Sequence, residues 1–591
     1  MPGLLGAGWV VGMYLRTTSW RNADGSTVRY VQLAHNRRVG GTTQAQVLLN
    51  LGREDRLDTD GLRRLVSSIN RYLGDELGSD AVAVAGGAGT GLALTASRPV
   101  GAVWLLDGLW RSLGVDAALR AVLGSRRFTT DVERVLFALV ANRALEACSK
   151  LAAAEWVTHD VAVPGLAGMD EDQAYRAMDL LVEADATARV QEAVFFAVAN
   201  LLNLEVDLLL FDTTSTYFQR DAPDDGPEGE AGGGFRRYGH CKDHRPDLPQ
   251  IIIGLAVTKE GIPVRCWCWP GNTNDQAVLP EVRDGMREPK LGRVITVVDR
   301  GFSSPANLEY LRRGGGGWIA GERMRDGNPR AAAALSRQGR YQQVKDNLRV
   351  KEVRLEATPG IRWVICHNVE EAIKDKTGRE AALARLGAEL ERIAAARART
   401  LTAAKTAGTP RARIKADADL AGHVRAECAL RDHPTLGRWL RQTPTGRLVI
   451  DKAAVAAEER LDGKYLLSTS DPHLSPGDVA LGYKNLLEAE RGFRDLKSTL
   501  ELRPVFHRIE PRIRAHVLLC WLALLLIRVA ERCTGQTWRT VSRELGRLHA
   551  VTVAGEAGSI VQTTDPTDTQ LGFLRACNLT PPPRIIELHP L

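Results

Sequence analysis

The sequence predicts a mixed α/β protein with one central sheet, a small β meander and a helical domain ahead of it, and a long insertion within it. Three observations carry that prediction. Between residues 205 and 321 the apolar runs follow the order of three antiparallel strands, then strand, helix, strand. Residues 99–203 repeat apolar positions at intervals of three and four, as helices do. Residues 9–53 alternate around turn signals, as strands do.

Taken in order, Tyr14, Val28, Tyr30 and Gln32 flank the turn Asn22-Ala23-Asp24-Gly25, and 47–51 follows a Gly40-Gly41 break. With a helix over 59–77, residues 1–80 read as a meander plus helix. The Gly- and Ala-rich stretch 82–96 makes 81–98 a linker. Its Gly86-Gly87-Ala88-Gly89-Thr90-Gly91 is no phosphate loop, because no Lys-Ser/Thr follows and the spacing is not G-x-G-x-x-G. Within 99–204 the helical period is clearest over 132–151 and 173–181, and the unit reads either as DNA-binding or as a plain helical bundle.

From 205 the texture changes. The run 208–211 ends at Asp212 and is followed by the β-branched 213–218. After a polar loop (221–234), 251–257 and 262–269 form a hairpin around Lys259-Glu260-Gly261. A helix follows at about 276–287, a strand at 293–298 ending at Asp299, a helix at 304–313 and a strand at 317–321. This is the strand order of a ribonuclease-H-like core, whose first part is 205–321.

Residues 322–474 are expected to stand apart from that core as a β-rich and helical insertion. They hold strands at 350–355, 361–367, 448–450 and 465–468 around a long helical segment, 370–407. Within 385–415, eight Lys/Arg (385, 392, 397, 399, 405, 411, 413, 415) meet two acids, Glu389 and Glu391, a local charge of 8 − 2 = +6. Such a stripe suits phosphate neutralisation. The core's second part, 475–580, opens with Ser475-Pro476-Gly477-Asp478, a capped helix start. That helix is expected to continue to about Leu500, followed by a very apolar one over 510–532. The Pro-rich tail 581–591 is expected to be irregular.

Composition sets outer bounds. With 591 residues, 44% hydrophobic and 25% charged, the chain is a globular protein of several folding units, not a disordered or collagen-like one. The longest apolar run, 517–527, is 11 residues and ends at Arg528, too short for the roughly 20 of a membrane span, so it is expected to be a core helix and no membrane partner is expected. The first 12 residues lack the positive region of a signal peptide, and Met13 is an alternative start. Nine scattered cysteines, an odd number, favour a reducing cytoplasm. The net charge of +7 points to nucleic acid only weakly.

Three carboxylates carry the chemistry. Asp212 and Asp299 are expected at strand ends, and Glu490 within the helix that returns to the core. Gathered together they repel one another unless divalent cations fill the space, and hard oxygen ligands select Mg²⁺ or Mn²⁺ over zinc. Two such ions about 4 Å apart activate a water or a 3′-hydroxyl and stabilise the leaving oxygen of a phosphodiester. Tyr483, Leu486, Glu490 and Lys497 lie at offsets 0, 3, 7 and 14, near one helix face, with Arg491 and Arg494 beside them. That pattern suits a helix on a DNA end, or an amphipathic helix with pairs such as Glu490–Arg494. Cys241, His244, Cys266 and Cys268 do not have a standard zinc spacing. His240, Lys242 and Arg245 are expected to line a DNA path near Asp212.

With these residues go Phe211-Asp212-Thr213-Thr214-Ser215, the stretch Tyr238-Gly239-His240-Cys241-Lys242-Asp243-His244-Arg245-Pro246-Asp247-Leu248-Pro249-Gln250, Gly271-Asn272-Thr273-Asn274-Asp275 and Val298-Asp299-Arg300-Gly301-Phe302. In them the chain resembles DDE transposases of bacterial insertion sequences, in the superfamily numbered four with its Y-(2)-R-(3)-E-(6)-K signature. Tyr483, Glu490 and Lys497 match. Leu486 stands at the signature Arg, whose charge Arg491 or Arg494 would supply, as in a divergent subgroup. The resemblance covers almost the whole chain. It implies a cut-and-paste recombinase acting as a homodimer on terminal inverted repeats and target DNA. Asp212, Asp299 and Glu490 would hold two Mg²⁺, Tyr483 and Lys497 would grip terminal phosphates, and Arg300 would contact DNA. The basic insertion would cover the DNA end, and residues before about 200 would bind the terminal repeats. In relatives an insertion-domain aromatic receives a flipped base; Trp363 and Trp439 are the candidates, with core packing the expected role of each. Two competing readings are a transposase-derived DNA-binding protein without catalysis and a standalone ribonuclease-H-like nuclease. The intact acidic triad disfavours the first, and the basic insertion with the strand-end helix disfavours the second.

Overall fold

In a computed structural model of the chain, which describes residues 14–21, 27–39, 42–54, 57, 92–124, 131–183, 186–202, 208–220, 222–224, 234–285, 295–312, 316–325, 327–503, 507–555 and 558–590, backbone packing divides the chain into two units. One comprises 1–94, 553–559 and 590–591; the other comprises 95–552 and 560–589. In the first, the alternating residues form the expected meander, an antiparallel sheet in the order β1 (Tyr14–Arg21), β2 (Thr27–Val39), β3 (Thr42–Arg53). The expected helix over 59–77, and 81–91 of the expected linker with its glycine run, lie outside the described residues. The end of that linker is β4 (Ala93–Pro99), a strand rather than a tether.

Helices follow, as the period requires: α1 (Gly101–Ser112), α2 (Val115–Leu123), α3 (Val132–Leu145), α4 (Lys150–Glu155), α5 (Glu171–Glu183) and α6 (Ala186–Leu202). Asp131 caps α3, accepting from the N–H groups of Glu133 and Arg134. Almost every side chain of α3 is buried, so it lies inside the second unit's core and not on the surface of a detached bundle.

The central strands come next: β5 (Leu208–Tyr217), β6 (Gln250–Thr258) and β7 (Pro263–Pro270), all antiparallel, then α7 (Asp275–Gly285), β8 (Ile295–Val298), α8 (Pro305–Arg312) and β9 (Gly317–Glu322). β8 is parallel to both β5 and β9.

Residues 322–470 do not stand apart as expected. After α9 (Pro329–Ser336) come β10 (Gln342–Lys345), β11 (Leu348–Arg354) and β12 (Arg362–Asn368). Two long helices follow, α10 (Val369–Thr406) and α11 (Pro410–Arg431), then the hairpin β13 (Leu440–Gln442) and β14 (Leu448–Ile450), α12 (Lys452–Glu459) and β15 (Lys464–Thr469). β15 pairs antiparallel with both β9 and β12, giving one sheet of nine strands ordered β10-β11-β12-β15-β9-β8-β5-β6-β7. The reason is the unpaired backbone that β9 would otherwise expose at its edge. α10 and α11 leave the sheet, as does the hairpin β13–β14, which forms a sheet of its own, and between them the two helices bury just Arg379, Ala382, Leu386, Ile393 and Ala416. α10 begins at the residue after β12, with Asn368 as its cap. Gly463, at φ +61°, closes on this joint: its carbonyl accepts from the Asn368 N–H at 2.7 Å, and any side chain there would strike Asn368 and Ala372.

The single helix expected from 475 to about Leu500 is two, α13 (Pro476–Lys484) and α14 (Leu486–Ser498), with the break at Asn485. Ser475 caps α13 by accepting from the Asp478 N–H at 3.1 Å. α15 (Glu510–Thr534) is the one helix among the described residues long and apolar enough to cross a membrane, yet 94% of its most apolar window is buried within the protein. It is a core helix packed against α1, α3, α5, β7 and α14. Burying each of its leucines contributes about 1.5–3 kcal/mol. After α16 (Trp538–Leu545) come β16 (His549–Gly555), β17 (Gly558–Thr563), α17 (Asp568–Ala576) and β18 (Ile585–Pro590). They complete a sheet ordered β18-β17-β16-β4, so the tail expected to be irregular ends in a strand. All nine cysteines are unbridged.

Candidate active site

β5 and β8 run parallel, with Phe211 opposite Val298. One residue further on come Asp212, within β5, and Asp299, just past the end of β8. Asp212 does not end its strand as expected. The buried Thr213, Thr214, Ser215 and Thr216 carry β5 on, paired to β6 as far as Tyr217 opposite Gln250. α14 packs across β5 and β6 through Leu486, Ala489, Gly492, Phe493 and Leu496, which leaves Glu490 exposed on its other side. Asp212, Asp299 and Glu490 line one cleft of about 880 Å³, together with Arg300, Glu322 and Tyr483.

The two aspartates are already engaged by protein donors. The Tyr483 hydroxyl donates to Asp299 Oδ1 at 2.7 Å. Burial first, and then Asp299, push that hydroxyl well above its ordinary pKa, so it remains a donor. Its ring stacks on Tyr465 at 6.1 Å and fits only because Gly321 has no side chain in its way. Burial pushes the Asp212 carboxyl up to about 6; Lys242 and the Thr213 N–H oppose the shift, and Asp299 and Asp275 add to it. Lys242 Nζ stands 3.8 Å from Asp212 Oδ1 and 3.6 Å from Asp275 Oδ2, and donates to the Thr213 carbonyl at 2.6 Å. Thr213 Oγ1 in turn donates to Asp275 Oδ1 at 2.7 Å.

The donor set is all carboxylate oxygen, which suits a hard divalent cation. Among the described residues no three His, Cys, Asp or Glu side chains are close enough together to cage an ion. A hard divalent cation at such a site takes its remaining ligands from water and substrate phosphate, as Mg²⁺ commonly does.

Residues 207–526 match the family described as the transposase DDE domain, more than half of the 591-residue chain. The chain belongs to the DDE transposase family. Residues 15–81 match the N-terminal domain of IS1634 family transposases, which makes this an insertion-sequence transposase. No curated protein matches it. Among solved structures it is similar to the piggyBac transposase synaptic complex with hairpin DNA, at 10% identity over 76% of this chain and 78% of that one, with a TM-score of 0.34. As a DDE transposase the enzyme is a DNA nuclease and strand transferase that acts on DNA with divalent metal ions.

The transposase brings Asp212, Asp299, Arg300, Tyr483 and Glu490 to one cleft, as expected, and leaves the other anticipated residues around it. Lys497 lies 3.0 Å from Asp243, which also accepts from Arg503 at 2.9 Å. Burial lowers the Lys497 ammonium, and the pairing with Asp243 works against that shift. Arg245 pairs with Asp247 at 2.7 Å, and His240 is exposed in the same segment. Arg491 turns toward Glu488 and Glu531, at 3.8 and 3.6 Å, and Arg494 is exposed. Neither lines the cleft, whereas Leu486 does. Trp363 and Trp439 are buried, Trp363 donating to Thr358 at 3.0 Å.

Not anticipated from the sequence are the cleft cations Arg323, Arg325, Lys464 and Lys484, the aromatic Tyr465 and the carboxylate Asp275. A signal existed for the first two. Arg323-Met324-Arg325 directly follows a strand parallel to its neighbour, and ligands of such sheets gather at the carboxyl ends of the strands.

Proposed function

We propose that the transposase cuts the phosphodiester bonds at the ends of its own insertion sequence and joins the freed ends to target DNA, with Asp212, Asp299 and Glu490 as its metal-holding carboxylates on a ribonuclease-H-like core. The observation that carries this reading is the parallel register Phe211–Val298, one residue before the two aspartates, together with the cleft that Asp212, Asp299 and Glu490 line. The order β9-β8-β5-β6-β7, with β5, β8 and β9 parallel, supports the core assignment. Two Mg²⁺, or Mn²⁺ in their place, would activate the attacking water or 3′-hydroxyl and stabilise the leaving oxygen.

The chain's own groups do the rest. The Tyr483 hydroxyl orients Asp299 through its donated hydrogen bond. Lys242 holds the Asp212 side of the cleft, and Arg300 and Lys484 offer charge to phosphates entering it. Lys497, Arg491, Arg494, His240 and Arg245 lie around the cleft as DNA-binding groups. The basic α10–α11 hairpin neutralises flanking DNA. Residues 99–204 contribute to recognition of the terminal repeats, and the enzyme works as a homodimer across two ends.

The test is a nicking assay. The full-length protein with Mg²⁺ is expected to cut a fragment carrying the inverted repeat that flanks its own gene, and EDTA is expected to stop it. Asp212→Ala, Asp299→Ala and Glu490→Ala should each abolish cutting while a gel shift still shows end binding. Cutting that persists in all three variants would place the chemistry elsewhere.

A further inference from the structure

Beside the catalytic cleft lies a second cavity of about 560 Å³, and Lys464 lines both. Its floor is a cross-strand row. Arg349 of β11 stands opposite His367 of β12, and His367 stands opposite Lys464 of β15. Directly opposed residues share a face of the sheet. With strands about 4.8 Å apart, the row from Arg349 to Lys464 is roughly 10 Å long. Arg460 lines the same cavity, and Tyr341 borders it with its ring 6.0 Å from that of His367.

The charge balance of this cavity is one-sided. Its two carboxylates, Glu459 and Asp462, are both held by Arg379. Arg349 donates to the neutral Gln343 at 3.1 Å, and the Lys464 ammonium to the Arg460 carbonyl at 2.6 Å. Among the described residues neither has a carboxylate partner. His367 is held below its ordinary pKa by burial first, then by Lys464 and Arg349. With its two carboxylates paired to Arg379, the cavity keeps an excess of positive charge, and such a concave site concentrates the opposite sign. The row is longer than a single phosphate group, and the cavity shares Lys464 with the cleft that holds the catalytic carboxylates.

We propose that this cavity binds the sugar-phosphate backbone of a DNA strand running on past the catalytic cleft, with phosphates on Arg349, Lys464 and Arg460. The proposal rests on the transposase reading for the identity of the polyanion, but it is tested without cleavage. Binding of a fluorescent duplex of arbitrary sequence to the full-length protein is measured over a range of KCl concentrations. Each phosphate that the protein no longer neutralises reduces the slope of log K against log salt by about 1. Arg349→Gln/Arg460→Gln is therefore expected to lower the slope by about 2 and weaken binding roughly tenfold at moderate salt. Arg349→Lys/Arg460→Lys, which keeps the charge, should restore both. Arg539→Gln/Arg543→Gln on α16, outside both cavities, should change neither. An unchanged slope in the cavity variant, or an equal fall in the α16 variant, overturns the proposal. Absence of cutting at element ends would instead count against the catalytic reading, because this assay does not depend on cutting.

Discussion

The cleft has a strand side and a helix side, and the two are built differently. On the strand side, register fixes Asp212 and Asp299, and each already meets a protein donor or cation, Lys242 and Tyr483 respectively. On the helix side, Glu490 is exposed on α14, with no hydrogen bond or ion pair among the described residues. The strand side is thus a preset edge whose carboxylates are each engaged by a protein group. The helix side presents a carboxylate that nothing holds. The three acids thus share a cleft in which two are engaged by the protein and the third is not.

Three measurements would break or sharpen this contrast. The largest effect is expected from Tyr483→Phe, which removes the donor on Asp299 and leaves the packing on Tyr465. Groups that orient metal ligands are typically worth 10–100-fold. Metal affinity followed by calorimetry, together with cleavage rate, should fall by about that factor in this variant. Equal affinity in the two proteins would remove Tyr483 from its orienting role.

Next is Asp212→Asn, read as stability in EDTA. A carboxyl whose folded pKa is raised, here to about 6 from 3.8, favours the folded state below 3.8, and that contribution is lost as pH rises through about 6. Above that pH the ionised Asp212 is a cost, so the Asn variant should be more stable than wild type by about 3 kcal/mol. The advantage should shrink to nothing below pH 3.8. An Asn variant no more stable than wild type above about pH 6 would show that Lys242 fully compensates the buried charge. The smallest effect belongs to the helix side. Glu490→Gln should change the stability read from urea unfolding by less than about 0.5 kcal/mol, as exposed, unpartnered positions do.

Much of this was legible in the sequence because it is local. The β-branched run after Asp212, the Ser475-Pro476 cap and the Val298-Asp299 strand end each announce their element in a few residues. What was not legible depends on partners far away in the chain. Nothing near residue 464 says that β15 will pair with β9, some 140 residues earlier, so the insertion's strands could be seen but not the sheet they extend. Asp212 is expected as a strand end even though 213–218 read as a strand continuation, and pairing with β6 as far as Tyr217 puts it inside the strand. The helix break at Asn485 escaped because Tyr483 and Leu486 keep a helical interval across it. At the site, Lys242 and Asp275 are separated by 33 positions, and only the fold sets them beside Asp212.

The joint between β12 and α10 has a mechanical meaning. A helix of 38 residues projects about 57 Å, and it starts without a linker from a strand adjoining the one that carries Tyr465. On the proposed DNA-binding role of this arm, duplex bearing on its far end would pull directly on the strands beside the cleft. Loading of the arm and alignment of the acids would thus be one mechanical event.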